Sequence, residues 1–396
     1  MTQPKNKMRA SLSALTAAAL ALPGIAKAEV QTDYLFSHYQ ESDLPGNRSA
    51  SGQGSERYKV DTHLFRLAGT PIAADQVAQL DVTYEAMSGA SPWWVQPGAN
   101  GKPVQVMSGA SISENRVAVD VSYGIPLAGL DWGLRAGYSS ENDYKSVHGG
   151  VEVQYTPEHK MYTVSGGIGY SSDKLDPTDG GSAQYPTRIS HASKNTVTGY
   201  GGVSWVLSAQ TTAQVSMSLS RDSGFLSDPY KQAYIIAIAS PVADSRPDGR
   251  QTFAVTGKLR HYIPSLGAAL RADARYYHGD WSIESHTVDL SWDQTIGDTW
   301  RVTPGVRWYS QSQAFFYQPY YADFRTDGFA SSDYRLSPYG AIAGRVDVRK
   351  VLGKWELGGG VEYYDASANY AIKNVGIENP GLVQYWSANL RLSRRF

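Results

Sequence analysis

A two-residue alternation of apolar and polar side chains is the feature that most restricts how this chain can fold. In the segment RVAVDVSYGI, residues 116–125, Val117 and Val119 take one face of a strand, while Arg116 and Asp120 take the other. The polar face holds Arg, Asp, Glu, Gln and Ser along the chain, and such side chains cannot form a dry core. We therefore predict that the apolar face meets lipid and the polar face meets water.

Sixteen segments of this kind can be counted, each about ten residues long or slightly longer. A tilted strand of about 9–11 residues crosses the hydrocarbon of a bilayer, and inside lipid every backbone group must be paired, so the sheet has to close. We predict an all-β fold, a transmembrane antiparallel up-and-down β-barrel of about 16 strands. The predicted strands are 30–40, 57–69, 77–87, 114–125, 132–140, 146–156, 161–171, 196–207, 211–220, 251–262, 268–278, 283–296, 300–311, 333–350, 355–364 and 383–396.

The connections between these strands alternate in length down most of the chain. Long connections such as 88–113 and 221–250 follow short ones such as 208–210. Outer-membrane barrels have short periplasmic turns and long outer loops, which is the same pattern. Two of the outer connections, 141–145 and 279–282, are short and depart from the rule.

The N-terminus has the composition of a secretory signal. A basic start precedes a short apolar run, and small residues follow at the positions that a signal peptidase reads. Cleavage is expected between Ala28 and Glu29, which divides the chain into a signal peptide, 1–28, and an outer-membrane barrel, 29–396. A spanning helix is disfavoured because Pro23 interrupts the run.

The C-terminus, LVQYWSANLRLSRRF, keeps the alternation almost to its last residue, Phe396. We predict that residues 383–396 form the last strand, which pairs with the first and closes the barrel. An aromatic residue at the end of such a strand resembles the signal that the barrel-assembly machinery recognises in bacterial outer-membrane proteins. Phe396 is therefore the candidate assembly signal.

Charge and cysteine content exclude some classes of partner. Residues 1–28 contain four basic and no acidic residues, so cleavage reduces 36 basic and 37 acidic residues to 32 and 37. This acidic balance disfavours a nucleic-acid partner. The chain has no cysteine, which excludes disulfides and cysteine–metal sites. The partners that we expect are outer-membrane lipid and lipopolysaccharide, and nothing in the sequence decides between a monomer and a homo-oligomer.

The stretch LDVTYEAMSGASPWW, from Leu80 to Trp94, resembles a segment of an uncharacterised bacterial family catalogued as domain of unknown function 3570. The match centres on Ser88-Gly89-Ala90-Ser91-Pro92. The resemblance implies a signal peptide and an outer-membrane β-barrel. It brings no known activity, so no catalytic residue follows from it.

The polar face should line a water-filled bore in a barrel of this size. Its charges are unevenly distributed. Acidic residues, among which Asp61 is also expected, predominate in the first half of the chain, and basic residues predominate in the second half. Two interpretations stay open. Opposed walls of opposite sign could create a transverse field that orients polar solutes, or the charges pair within each wall and stiffen it. The candidate pore-lining residues are Asp81, Glu85, Asp120, Arg135, Glu152, Lys258, Arg260, Arg271, Asp273, Arg275, Asp289, Arg301, Arg307, Arg345, Glu362 and Arg391.

The most favoured function is a porin-like channel for the passive passage of small hydrophilic solutes or ions. The alternative is a barrel that acts as a sheath, anchor or export conduit for a periplasmic or redox partner. No enzyme, cofactor or metal site is predicted, since the eight histidines are scattered and no His-Glu-x-x-His spacing occurs. The aromatic loop 312–328 either folds inwards and narrows the pore, or caps the barrel or contacts a neighbouring subunit.

Overall fold

A computed structural model describes residues 30–70, 75–99, 101–108, 112–158 and 161–396. The strands, in chain order, are β1 (Gln31–Glu41), β2 (Lys59–Gly69), β3 (Val77–Gly89), β4 (Pro92–Pro97), β5 (Pro103–Met107), β6 (Ile112–Leu127), β7 (Leu130–Ser140), β8 (Tyr144–Tyr155), β9 (Tyr162–Leu175), β10 (Ala192–Ser208), β11 (Thr211–Gly224), β12 (Gln232–Ile235), β13 (Ser240–Ala243), β14 (Gly249–Ile263), β15 (Ala268–Gly279), β16 (Glu284–Ile296), β17 (Trp300–Gln311), β18 (Tyr339–Leu352), β19 (Trp355–Ser367) and β20 (Gln384–Arg395).

The predicted barrel is confirmed. Sixteen of the described strands form one closed sheet, in which each barrel strand pairs with the next barrel strand, so that β3 pairs with β6 and β11 with β14. β1 pairs antiparallel with β20, from Gln31 opposite Arg395 to Glu41 opposite Tyr385, and this pairing closes the ring. The remaining four strands form two separate hairpins, β4–β5 and β12–β13. No helix among the described residues is long and apolar enough to cross a membrane.

The two faces of the sheet differ as the alternation predicts. Ile168, Val361 and Leu390 are 68%, 60% and 64% exposed, so the apolar side chains are not buried in a core. Cross-strand partners lie on one face, and the register pairs Ile168 with Val151. An exposed apolar band around a closed sheet is the surface that hydrocarbon requires.

The outer ends of several strands extend beyond their predicted limits. β9 and β11 each end four residues later than predicted, and β10 begins four residues earlier. These ends are polar and lose the alternation, but ion pairs join them instead. Lys194 Nζ lies 3.2 Å from Asp173, and Arg250 lies 2.7 Å from Asp222.

The predicted strand 333–350 begins too early. Residues Tyr334–Leu336 form a short 3-10 helix, in which the Asp333 side chain accepts a hydrogen bond from the Arg335 N–H. β18 therefore begins only at Tyr339. The hairpins β4–β5 and β12–β13 were not predicted, because they lie inside long loops with no extended alternation.

The family segment Ser88–Pro92 contains a glycine that its backbone requires. Gly89 has a φ of 111°, a conformation that L side chains rarely adopt. A Cβ atom at Gly89 would lie 2.2 Å from the Arg57 carbonyl oxygen. The chain can therefore leave β3 and enter β4 at this point only without a side chain.

The two chain ends have different outcomes. Residues Ala28 and Glu29 lie outside the described residues, so the cleavage site remains a prediction. The last strand is confirmed as β20, and the Phe396 N–H donates to the Val30 carbonyl at 3.0 Å. The Arg394 guanidinium lies 4.4 Å from the centre of the Phe396 ring. Recognition of Phe396 by the assembly machinery remains a prediction.

A charge on the outer face of β20 should destabilise the folded barrel. We expect Leu390→Arg to lower the free energy of unfolding in lipid vesicles by about 2–4 kcal/mol, because it places an arginine on the lipid face near mid-strand. The adjacent Asn389→Arg, which faces the opposite side, serves as the control and should change it by less than about 1 kcal/mol. Equal losses in both variants would contradict the assignment of the two faces.

Candidate functional site

The polar face of the barrel is its inner, concave face. Arg345 on β18 reaches across β17 to Asp289 on β16 at 2.6 Å, and Tyr200 on β10 reaches across β9 to Glu152 on β8 at 2.8 Å. Strands two positions apart in a sheet are separated by roughly 10 Å, so these side chains converge as they would on the concave side.

All sixteen candidate pore-lining residues lie on this inner face, as judged from the strand register, opposite the exposed apolar side chains. Asp61 does not. It shares the outer face of β2 with Phe65 and Leu67, which are 58% and 47% exposed. Asp61 accepts a short contact of 2.7 Å from His38 Nδ1, and this pairing accounts for a carboxylate on the lipid-facing side.

The acidic residues in the first half of the inner wall have polar partners. Asp81 receives two hydrogen bonds from Arg66, at 2.8 and 2.9 Å. Arg116 lies 2.5 Å from Glu85. His148 Nε2 lies 2.7 Å from Asp120. Two of these carboxylates, Asp81 and Glu85, are therefore paired with arginines.

The second half of the wall is paired in the same way. Asp289 lies between Arg307, at 2.9 Å, and Arg345, at 2.6 Å. Further ion pairs join Arg260 to Asp273 and Arg271 to Asp293. The interpretation that the charges pair within each wall therefore describes most of these residues, and a field of free charges across the whole bore does not.

The other candidates have different surroundings. The Arg275 guanidinium lies over the Tyr277 ring, 5.3 Å from its centre. Glu362 accepts a hydrogen bond from the Tyr385 hydroxyl at 2.8 Å. Within the part of the chain that the structure describes, five candidate cations form no ion pair; they are Arg135, Lys258, Arg275, Arg301 and Arg391.

The inner wall is accessible to water. The side chains of Arg271 and Arg307 are each 45% exposed, although both form ion pairs. The three clusters of buried hydrophobic residues involve loop residues or the outer ends of strands. A wall of half-exposed charges is suited to the hydration of small polar solutes.

The long loops at the outer end pack together into one layer, which we call the loop layer (residues 42–58, 90–99, 101–108, 225–248, 312–338 and 368–383). Backbone hydrogen bonds connect loops that are distant in sequence. The Ile236 N–H donates to the Tyr321 carbonyl at 2.8 Å, and the Ala50 N–H donates to the Gln105 carbonyl at 2.9 Å. The loops therefore form a defined structure across this end.

Asp333 lies at the centre of a buried ion cluster in the loop layer. It is 2% exposed, forms an ion pair with Arg335, and lies 2.9 Å from Arg246. Arg246 also lies 2.6 Å from Asp244, and Arg335 lies 3.1 Å from Asp228. Sequence reasoning missed this cluster, because its members lie in loops and no periodicity marks them.

The environment of Asp333 fixes its protonation state. Burial alone would raise the pKa of this carboxyl, but Arg335, Lys231 and Arg246 hold the pKa well below its usual range. A depressed carboxyl pKa contributes stability above the unfolded value of about 4, and this contribution is lost as pH falls through the lower folded pKa. Mild acid should therefore leave the cluster intact.

The loop layer is fixed to the inner wall of the barrel. Gln311, on the inner face of β17, donates to the carbonyls of Arg335 and Ser337 at 3.0 and 2.6 Å. Arg57 and Glu41 form a 2.6 Å ion pair in which both side chains are 3% exposed. These contacts hold the layer against the inner wall at the outer ends of the strands.

The aromatic loop 312–328 supplies part of the core of this layer. Phe316, Tyr317 and Tyr321 are 0–2% exposed, and Phe316 packs edge-on against Trp281 at 5.2 Å. Burial raises the pKa of Tyr321 to about 12, and the hydroxyl donates to the Phe316 carbonyl. These rings are occupied by packing, so the capping interpretation of this loop describes them best.

Three carboxylates lie close enough together to be considered as a cation site. Glu114, Glu141 and Asp143 each place an oxygen within 4.8 Å of the others. Asp143 accepts a hydrogen bond from the Tyr230 hydroxyl at 2.5 Å, and Glu114 accepts one from the Asn142 N–H at 3.1 Å. Acidic groups of this kind are common without a metal, so the group carries no assignment.

Comparison with solved structures gives the same fold. CdiB from Acinetobacter baumannii is 8% identical with a TM-score of 0.52, and the match covers 93% of this chain and 60% of that one. A bacterial polysaccharide outer membrane secretin is 9% identical with a TM-score of 0.48, covering 94% and 99%. The CymD monoaromatic hydrocarbon channel is 8% identical with a TM-score of 0.41, covering 93% and 89%.

Of these, the similarity to CdiB, with a TM-score of 0.52, supports the fold and nothing more. The chain spans about three fifths of CdiB and of the siderophore receptor PirA from Pseudomonas aeruginosa. No curated protein matches the sequence significantly. A family model described as a protein of unknown function, DUF3570, matches residues 12–387, nearly the whole length. The chain therefore belongs to the DUF3570 family, whose fold in this member is that of a bacterial outer-membrane barrel.

Proposed function

We propose that the protein is a porin-like channel for the passive passage of small hydrophilic solutes or ions across the outer membrane. The observation that carries this proposal is the inner wall, whose charged side chains are up to 45% exposed inside a closed ring of sixteen strands. Barrels of this strand number leave an aqueous channel unless another element fills them. Paired charges suit this role, because they hydrate a passage without holding a solute tightly.

The loop layer sets the size of solute that this channel would pass. It contacts the inner wall through Gln311 and through the Arg57–Glu41 ion pair, and in this proposal it constricts the outer mouth of the channel. Its hydrogen bonds and buried ions favour a fixed constriction over mobile loops. We therefore expect passage of ions and small solutes, and exclusion of oligomers.

Purified protein in a planar bilayer should give discrete conductance steps. We expect the conductance to rise with the salt concentration, because the inner wall is hydrated. Single-channel recording over a series of salt concentrations measures this dependence. Small neutral sugars added in increasing size should stop reducing the current above a cut-off that the loop layer sets. A barrel that is folded on a gel but does not raise the current above the lipid baseline would contradict a channel.

The alternative is a barrel that serves as a sheath, anchor or export conduit for a periplasmic or redox partner. The buried ion cluster around Asp333 favours it, because a layer fixed in this way would act as a permanent plug. The two functions differ in one observable property. That property is the current through the purified protein in a bilayer. A channel conducts without a partner, whereas a plugged sheath does not conduct.

Loosening the ion cluster should increase the current. Asp333→Asn removes the central carboxylate that Arg246 and Arg335 share, and removing one partner of a buried ion pair typically costs about 3–5 kcal/mol. We expect larger conductance and new trypsin cleavage after Lys231 or Arg335. The control is Asp327→Asn in the same loop, whose 2.6 Å pair with Arg325 is solvent-accessible and worth about 1 kcal/mol or less. If both variants resist trypsin like the wild type, the cluster does not hold the layer together.

A further inference from the structure

Three arginines lie at one level on the inner wall, near the periplasmic ends of four successive strands. Arg301 on β17 is the direct cross-strand partner of Arg349 on β18. Arg349 pairs with Gly358 on β19, and Gly358 pairs with Arg391 on β20. Because all these positions point inwards, the three guanidinium groups share one patch of wall, which we call the arginine patch.

The glycine between two of these arginines leaves room for their side chains. A Cβ atom at Gly358 would lie 3.4 Å from Cγ of Arg349 and 3.7 Å from Cβ of Arg391. The stems of both arginines therefore border the space above the glycine. Strands two positions apart are separated by roughly 10 Å, a span that two arginine side chains can bridge with an oxyanion between them.

The arginine patch is poorly neutralised compared with the rest of the wall. The carboxylate nearest to it is Glu356, 3.9 Å from Arg349 and at the edge of ion-pair range. Asp347 lies one inward-facing position farther up β18 and forms no ion pair among the described residues. By contrast, Arg307 and Arg345 share Asp289 at 2.9 and 2.6 Å.

Like charges in direct cross-strand register are unfavourable unless something neutralises them. Arg301 and Arg349 are in such a register, and the Arg349 side chain is 41% exposed, so water and solutes reach it. Guanidinium groups bind carboxylate and phosphate oxygens in a bidentate way, and arginines inside a pore select for anions. The patch therefore has the charge, the access and the donors of an anion site.

We propose that Arg301, Arg349 and Arg391 form a binding site for a multivalent oxyanion, a small solute with two or more carboxylate or phosphate groups, at the periplasmic mouth of the barrel. The binding site itself does not depend on the proposed channel. The inference rests on that proposed function only for the role of the site in transport. A bound solute would be held near the periplasmic end of the passage. The charged residues farther up the inner wall would be mostly paired with one another.

Equilibrium binding to the folded protein in detergent tests the site without requiring conduction. Calorimetric titration with citrate and with pyrophosphate should show saturable binding, and glucose should show none. The variant Arg301→Gln/Arg349→Gln/Arg391→Gln should bind at least about tenfold more weakly, because three charge-assisted contacts are lost. The two probes distinguish a carboxylate solute from a phosphate solute.

A matched variant separates the patch from net charge. The variant Lys145→Gln/Lys174→Gln/Arg221→Gln also removes three cations. These residues lie on the lipid-facing side of the sheet, near the strand ends that lead into the long loops, and they form no ion pair among the described residues. Its affinity should stay within about twofold of wild type. The single variant Arg301→Gln, which disturbs the fold least, should show an intermediate loss. Equal losses in the two triple variants, or no saturable binding by wild type, would overturn the site.

Bilayer recording distinguishes failure of the site from failure of the channel. Wild-type conductance that citrate reduces from the periplasmic side, with the reduction lost in the arginine-patch variant, supports both proposals. Saturable binding without conductance supports the site and contradicts the channel. Conductance with no effect of either anion, together with no calorimetric binding, contradicts the site and supports the channel.

Discussion

Backbone hydrogen bonding in a medium without water is the constraint on which this structure depends. Every peptide group inside hydrocarbon must be paired, and the pairing of β1 with β20 removes the last two free edges of the sheet. The closed ring then fixes which face each side chain takes. Apolar residues such as Ile168 face outwards, and polar residues such as Asp289 face the interior of the ring.

The charges of this interior are arranged in two ways. Along most of the wall, carboxylates lie against cations, as Asp81 lies against Arg66, an arrangement that would hydrate the proposed passage without strong attraction. At the periplasmic mouth, Arg301, Arg349 and Arg391 have little such compensation. The outer end differs from both, because buried ions there connect loops to one another. In the proposed channel, selectivity and closure would thus reside at opposite ends of the same barrel.

The strands could be predicted from the sequence because each of them repeats one rule, as in Val117 to Val121, that lipid imposes on one face only. The loop layer could not, since Asp333 and Arg246 are 87 residues apart and no local pattern brings them together. Strand register explains the remaining differences between the prediction and the structure. Asp61 has the right chemistry for the inner wall but lies on the outer face of its strand, and Arg301 meets Arg349 only through a pairing that no local pattern specifies.

Closure by the two ends of the chain has a kinetic consequence. Gln31 and Arg395 are neighbours in the sheet although 364 positions separate them, so the seam forms only after the whole polypeptide is available. Contacts between such distant segments form slowly, and until they form, two strands expose unpaired edges that invite aggregation. Hairpins can form early from local turns, but the ring itself closes last, when the first and last strands meet.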